Sequence, residues 1–223
     1  YMPMGLCATF IDKQYEYNQG DKKIKVEKGQ CVIDCGGCWG DTALYFANEV
    51  GNKGIVFTME FIPSNLEIME KNLDLNPQLK ERIKVIKNPV WNVSNEQLYF
   101  VDQGPASIVT EIKNNNVKVY TLSIDDLVER NELKSVGFIK MDIEGAELSA
   151  LNGACETIKK FRPTLAIAVY HKINDFHEVT KFINGLDLNY SFYLGHYTIY
   201  AQETVLFAVP NEVDNEKTKN LPI

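Results

Sequence analysis

Short β-prone apolar runs alternate with helical apolar stripes along most of this chain. Val32-Ile33 ends the first clear run, which Asp34 closes, and Gly54-Ile-Val-Phe-Thr-Met-Glu60 is the second. Arg82 to Lys87, alternating through Ile83 and Val85, is the third, and Val136-Gly-Phe-Ile-Lys-Met-Asp142 the fourth. The fifth, Pro163-Thr-Leu-Ala-Ile-Ala-Val-Tyr-His171, is nearly all apolar, as a central strand covered on both faces must be. Between the runs lie stripes at helical spacing: Leu44, Ala47 and Val50, stopped by Gly51 and Gly54, then Leu66, Met69 and Leu73 behind a capping box at Ser64-Asn-Leu-Glu67. Ser123 and Asp126 cap a short helix with Leu127 and Val128. A longer helix opens at Glu144 and buries Leu148, Leu151, Cys155 and Ile158, and Asp175 caps one bearing Val179, Phe182, Ile183 and Leu186. Tyr190 to Tyr197 and Glu203 to Val209, joined by a short connection, form a closing hairpin that must place an antiparallel strand in the sheet. The pattern predicts an α/β fold with a seven-stranded, mostly parallel sheet, a terminal antiparallel hairpin and helices on both faces.

Three segments fall outside this alternation. Residues 1–29 read as a cap segment, in which Ile24 and Val26 alternate with lysines as a short edge strand. Phe10, Tyr15 and Tyr17 precede it, read as core packing, with a cover over the site as the alternative. Within the main domain, 30–210, residues 88–120 are irregular and predict a β-hairpin insertion containing Trp91, Tyr99, Phe100, a turn at Asp102-Gln-Gly-Pro105 and a polar run from Asn114 to Asn116. Its aromatics either line an acceptor pocket or shield a sheet edge. Residues 211–223 read as a poorly ordered polar tail.

Composition narrows the partners. A formal charge of −7 and a pI near 5.1 over 223 residues, with no long basic run, argue against nucleic acid or an anionic membrane surface. Five cysteines, an odd number, suggest reduced thiols and a cytoplasmic setting. No apolar run approaches a membrane span and no signal peptide is visible. The chain begins at Tyr1, which leaves room for an upstream part carrying targeting information.

The candidate chemistry centres on Gln30 to Asp41, a strand, a Gly-rich turn and a helix start. Gly36, Gly37 and Gly40 permit positive φ and close approach of a ligand, and the helix start offers unpaired N–H groups. Asp34 at the strand tip repels a pyrophosphate and attracts a cation, which favours S-adenosylmethionine over a dinucleotide. Glu60, 26 residues further on at the next strand tip, suits the two ribose hydroxyls of an adenosine. Cys31, Cys35 and Cys38 have the Cys-x3-Cys-x2-Cys spacing of iron–sulfur cluster ligands, but Cys31 lies inside the strand, so all three read as buried or half-buried thiols. Asp142, Glu144 and Glu147 gather where the fourth strand meets a helix. The helix dipole accounts for the two glutamates, and a divalent cation on Asp142 with Glu144 is the alternative to a site without metal. His171 arrives at the same edge as a candidate general base or acceptor contact, His196 sits near the tip of a closing strand as a candidate to face the acceptor, and His177 falls on an exposed first turn.

Val32-Ile-Asp-Cys-Gly-Gly-Cys-Trp-Gly-Asp-Thr42, Met59-Glu-Phe-Ile-Pro63 with Asn65, Ser123-Ile-Asp-Asp126, Phe138-Ile-Lys-Met-Asp-Ile-Glu-Gly-Ala-Glu147, Pro163 with Tyr170-His171, and Glu203-Thr-Val-Leu-Phe207 occur in an order that resembles the FkbM family of S-adenosylmethionine-dependent methyltransferases. The resemblance implies a Rossmann-like class I methyltransferase fold and O-methylation of a hydroxyl on a small-molecule or glycan acceptor, often a sugar or a polyketide. It places Asp34, Cys35, Gly36, Gly37, Trp39, Gly40, Asp41, Thr42, Glu60, Phe61, Asn88 and Asp142 around the cofactor, with Asp142 beside the methyl group and no metal assigned. Many family members have a glutamate where this chain has Val169, so the acid/base role falls to His171, aided by Asp142. Two other classes share the same βαβ logic: a nicotinamide oxidoreductase, which Asp34 disfavours, and a non-catalytic adenosine-binding protein. Neither the acceptor nor the oligomeric state follows from the sequence.

Overall fold

Cys31-Val-Ile-Asp-Cys35 is buried at every position, and the rest of the molecule is layered around it. The computed structural model describes residues 7–100, 104, 109–110, 117–199 and 202–212. Ahead of that strand, β1 (Tyr17–Gln19) and β2 (Lys22–Ile24) pair antiparallel across Gly20, whose φ of +58° suits the tight turn. The lysine-alternating segment thus pairs with its own neighbour and not with the main sheet, while Ile24 and Val26 turn inward.

The strands β3 (Cys31–Cys35), β4 (Ile55–Met59) and β5 (Ile83–Ile86) lie parallel and adjacent. The chain then forms a separate three-stranded antiparallel sheet, β6 (Gln97–Phe100), β7 (Val109–Thr110) and β8 (Val117–Tyr120), with β6 in the middle. The expected hairpin insertion is therefore a small sheet. Of the turn at 102–105 only Gly104 is described, and the run 114–116 and the tail beyond residue 212 lie outside the described residues. Next, β9 (Phe138–Met141) returns to the free side of β3, and β10 (Thr164–Ala168) adds beside it, both parallel. Finally β12 (Thr204–Pro210) inserts antiparallel between β10 and β11 (Tyr190–His196). The order β11-β12-β10-β9-β3-β4-β5 is a Rossmann-like, seven-stranded, mostly parallel sheet, as the alternation of runs and stripes predicts.

Period-two alternation along the strands builds two apolar layers. On one face Val32, Val56 and Phe138 pack against Phe46 and Ala47 of α1 (Asp41–Val50) and Met69 of α2 (Pro63–Asp74), which α3 (Pro77–Lys80) follows. On the other, Ile33, Ile139 and Ile167 meet Leu127 of α4 (Ile124–Arg130), Leu151 of α5 (Glu147–Asn152), Ile158 of α6 (Cys155–Phe161) and Val179 of α7 (Asp175–Gly185). No helix among the described residues is long and apolar enough to cross a membrane.

Helix boundaries depart from the sequence reading at three places. Pro63, pre-set at the first helical position, opens α2, so the capping box at Ser64 is not the start. Asp175 lies inside the first turn of α7, where it accepts from the Lys172 N–H at 2.6 Å. The single helix expected from Glu144 is two: Glu144 and Gly145 take φ of +55° and +90° ahead of α5, and the chain breaks again at Gly153. There a Cβ would collide with the Trp91 carbonyl oxygen. Ser123 does cap α4, accepting from the Asp126 N–H at 3.2 Å.

From β3 the chain moves one way to β4 and β5, then crosses to β9 and β10 on the other side. Open α/β sheets bind ligands at the carboxyl ends of the strands where this reversal occurs, here β3 and β9. Because Gly153 is crowded by backbone, Gly153→Ala is expected to cost about 1–3 kcal/mol of overpacking. Gly185→Ala, with nothing within 4 Å of its Cβ, is expected to gain about 0.5–1 kcal/mol in its helix. Urea unfolding of the two variants reads both signs.

Candidate active site

The floor of the site is a polar row inside the sheet. Register places Thr58 of β4, Asp34 of β3 and Lys140 of β9 side by side. Asp34 is 0% exposed and Lys140 1%. The Asp34 carboxylate meets Lys140 Nζ at 3.2 Å through Oδ1, and its Oδ2 accepts from Thr58 Oγ1 at 2.9 Å and Thr42 Oγ1 at 2.8 Å. Lys140 Nζ also donates to the carbonyls of Cys35 at 3.1 Å and Gly36 at 2.6 Å. Burial alone would pull the Lys140 pKa down, but the carboxylates of Asp34 and Asp142 outweigh it and hold the ammonium well above its ordinary value.

Asp34, expected to face the cofactor, is turned into the sheet. Its charge is neutralised by Lys140 within the sheet, and it has no exposed surface with which to meet a ligand. Cys35 is equally buried, its thiol pushed far up by burial and the Asp34 charge. Gly37 and Gly40 likewise do not line the cavity above: a Cβ on Gly37 would strike Thr58 Oγ1, and Gly40, at φ +80°, packs on Met69. Gly36, at φ +84°, does reach the cavity, and a Cβ there would collide with the Asp142 carbonyl.

Above this floor lies a cavity of about 420 Å³. One side is formed by Glu60, Phe61, Ile62, Asn65, Asn88 and Val90, with Phe100 of the inserted sheet edge-on to Phe61 at 5.1 Å between ring centroids. Glu60 Oε1 accepts from the N–H groups of Phe61 at 2.7 Å and Ile62 at 2.8 Å, and Asn65 Nδ2 reaches Oε2 at 3.4 Å. Burial raises the Glu60 pKa, and those donors oppose the rise. Trp39, Asp41 and Thr42 line the base of the cavity beside Cys38 and Met59, and Thr9 Oγ1 donates to Asp41 at 2.6 Å.

The opposite side is built on Asp142. Tyr15 donates to its Oδ2 at 2.8 Å and Tyr170 to its Oδ1 at 3.1 Å. Burial first and Asp142 second push both phenols up, so they remain protonated donors. His171, expected as a general base or acceptor contact, does not itself line the cavity. It stands behind Asp142, Nε2 3.3 Å from Asp142 Oδ1 and Nδ1 2.9 Å from Glu147 Oε1. Burial pulls the imidazole pKa down, yet Glu147, Asp142 and Glu144 together hold it above its ordinary value. Gln14 and Glu203 complete this wall. His196 is exposed against Thr204, away from the cavity, and His177 is exposed on α7.

The cavity thus brings Gly36, Trp39, Asp41, Thr42, Glu60, Phe61, Asn88 and Asp142 together and leaves Asp34, Cys35, Gly37, Gly40 and His171 outside it. Sequence reasoning missed Lys140, Tyr170, Glu203 and Gln14, and read Tyr15 as core. Tyr15 is both: 2% exposed within the α1 layer, with its hydroxyl on Asp142. A lysine inside the apolar run Phe138-Ile-Lys-Met141 was the available signal, since a buried charge demands a partner. Cys31 and Cys35, four residues apart on one strand, are separated by roughly 13 Å of rise, too far to share a cluster with Cys38, and all three are free thiols.

Residues 28–192 match the family profile of the methyltransferase FkbM domain. A hexuronic acid methyltransferase of Haloferax volcanii is 25% identical over 138 residues, 61% of this chain and 56% of its own. The crystal structure of a methyltransferase FkbM from Methylobacillus flagellatus is 26% identical with a TM-score of 0.67, covering 83% of this chain and 44% of that one. Fibrillarin of Aeropyrum pernix, solved with natively bound S-adenosyl-L-methionine, shares the fold at 12% identity and a TM-score of 0.53, over 83% of this chain and 70% of its own. This chain spans about half the length of the first two relatives.

Removing one partner of the buried pair strands the other charge. Lys140→Met is expected to lower the unfolding free energy by about 3–5 kcal/mol, and combining it with Asp34→Leu to restore a large part of the loss. Urea unfolding of the two single variants and the double closes the cycle.

Proposed function

We propose, on the premise that this chain belongs to the methyltransferase FkbM family, that it moves the methyl group of S-adenosylmethionine to a hydroxyl of a sugar or other small hydroxylated acceptor. The observation that carries this reading is the two-sided cavity at the ends of β3, β4 and β9, with Glu60 on one wall and Asp142, held by two phenols, on the other. Glu60 has Oε1 tied to backbone N–H groups and Oε2 with capacity to accept from a ribose diol. Asn65 Oδ1, buried and without a partner, adds a second acceptor on that wall. Phe61, Ile62 and Val90 supply apolar surface for the adenine.

The charge that favours a cationic donor comes from the cavity's own lining. Asp41, Glu60, Asp142, Glu144 and Glu203 face it, and Lys140, the ammonium among the described lining residues, is already bound to Asp34 and two carbonyls. Transfer from a sulfonium is an in-line displacement: the acceptor oxygen forms a bond to the methyl carbon as the carbon–sulfur bond breaks, leaving S-adenosylhomocysteine and a proton. Aligning the three atoms supplies much of the rate. Asp142 is the carboxylate placed to accept the hydroxyl's hydrogen, and Tyr15 and Tyr170 fix its orientation. The sugar class is supported by the Haloferax relative, named for a hexuronic acid. The acidic lining favours an uncharged hydroxyl next to Asp142. A reducing, cytoplasmic setting accords with the free thiols.

Calorimetric titration with S-adenosylhomocysteine and with a nicotinamide dinucleotide tests the reading, and binding of the second alone would overturn it. Glu60→Ala is expected to weaken S-adenosylhomocysteine at least tenfold. Asp142→Asn is expected to leave that affinity within a few-fold while slowing S-adenosylhomocysteine formation, over a panel of hydroxylated acceptors, by about 10²-fold or more.

A further inference from the structure

Two buried acceptor atoms on the Asp142 side of the cavity lack a donor. Gln14 is 5% exposed, and its Nε2 donates to the Tyr15 hydroxyl at 2.7 Å. Tyr15 has one hydroxyl hydrogen and gives it to Asp142 Oδ2 at 2.8 Å, so toward Gln14 it can only accept. That fixes which way the amide is turned. Its nitrogen faces Tyr15, and Oε1, although buried, has no partner among the described residues. A buried carbonyl oxygen in this state calls for an explanation.

Glu203 is the second case. It lines the same cavity, and its Oε2 is likewise buried and without a partner among the described residues. Burial first and the Asp142 charge second push its pKa up, and the Gln14 amide opposes the rise. Its backbone takes φ of +56°, which a glutamate rarely adopts, where the Tyr197 N–H closes the β11–β12 hairpin on its carbonyl at 3.2 Å. Lys140, the ammonium among the described lining residues, is already engaged by Asp34 and two carbonyls. A ligand that satisfies Gln14 Oε1 and Glu203 Oε2 must therefore bring the donors itself. Hydroxyls do so, whereas a carboxylate brings only acceptors and a charge of the same sign as Asp142 and Glu203.

We propose that Gln14 Oε1 and Glu203 Oε2 bind hydroxyls of the acceptor that adjoin the one to be methylated, so that the acceptor is an uncharged polyol such as a neutral sugar. The assignment rests on the methyl-transfer reading, with the reacting hydroxyl next to Asp142. Two hydrogen bonds through Tyr15 join the Gln14 amide to that carboxylate, so the two contacts are held in one fixed relation. A ring gripped by its flanking hydroxyls presents one of several similar oxygens to the methyl group, and Gln14 and Glu203 thus determine which one reacts.

The full chain is first titrated with S-adenosylhomocysteine by calorimetry. It is then given S-adenosylmethionine and the methyl glycosides of neutral hexoses and 6-deoxyhexoses, with the methylated position read by nuclear magnetic resonance. The best glycoside is compared with analogues lacking a hydroxyl on either adjoining carbon, and with the corresponding uronic acid. Loss of an adjoining hydroxyl is expected to lower kcat/KM by about 10²-fold or more, and the uronic acid to be used about tenfold less well or worse. In Gln14→Leu the deoxy penalty should fall below about tenfold, with S-adenosylhomocysteine affinity within a few-fold of wild type. Glu203→Gln, which keeps the side chain's shape, should shrink the uronic acid penalty in the same way. A variant that had lost only packing would slow every glycoside alike and leave these ratios unchanged. Unchanged ratios in either folded variant, equal use of parent and deoxy glycosides by wild type, or preference for the uronic acid would overturn the proposal. So would Gln14→Leu weakening S-adenosylhomocysteine more than tenfold, which would assign the residue to the donor. Protein that binds S-adenosylhomocysteine and methylates none of the neutral glycosides overturns this acceptor class alone; protein that binds no S-adenosylhomocysteine overturns methyl transfer itself.

Discussion

The Asp34–Lys140 pair is the constraint from which the rest of the cleft follows. Two fully buried opposite charges in register on adjacent strands fix how β3 and β9 align, since a slip would leave each charge unpaired inside an apolar sheet. Lys140 also reaches up to the Cys35 and Gly36 carbonyls, so the glycine turn is tied from beneath. From above, Gly36 and Gly37 both donate to the Met59 carbonyl at 3.0 Å. A backbone held on both sides needs no ligand to keep its shape, which is the preorganisation that favours tight binding.

That neutralised floor explains where the useful charge sits. With Asp34 and Lys140 cancelling each other below, the potential felt in the cavity is set by the carboxylates around its walls. Asp142 is the best controlled of these. Two phenols approach its two oxygens, Tyr15 from 127 residues before it and Tyr170 from 28 after, so its orientation is set by tertiary structure and not by its own strand.

The sheet was legible because its cause is local. Apolar runs bounded by glycine, proline or charge predicted every strand of the main sheet to within a few residues, and the closing hairpin forced an antiparallel member. What was hidden depended on partners far along the chain. A carboxylate at a strand tip can face outward or inward, and the neighbour that decides it, Lys140, lies 106 residues from Asp34. The helix break at Gly153 likewise depends on Trp91, whose packing no local pattern reveals. Glu60 was easier, because its carboxylate answers to the two N–H groups that follow it. His171 was found at the correct edge, but its depth behind Asp142 is a matter of tertiary packing.

Tyr15 and Gln14 precede the stretch that matches the family profile, which starts at residue 28. Yet they form one wall of the cavity, and Tyr15 holds its key carboxylate. A boundary drawn from similarity alone would cut that wall away and leave an apparently intact domain with a breached pocket. The same segment also reaches the base of the cavity, where Thr9 donates to Asp41, so its loss would loosen two walls at once.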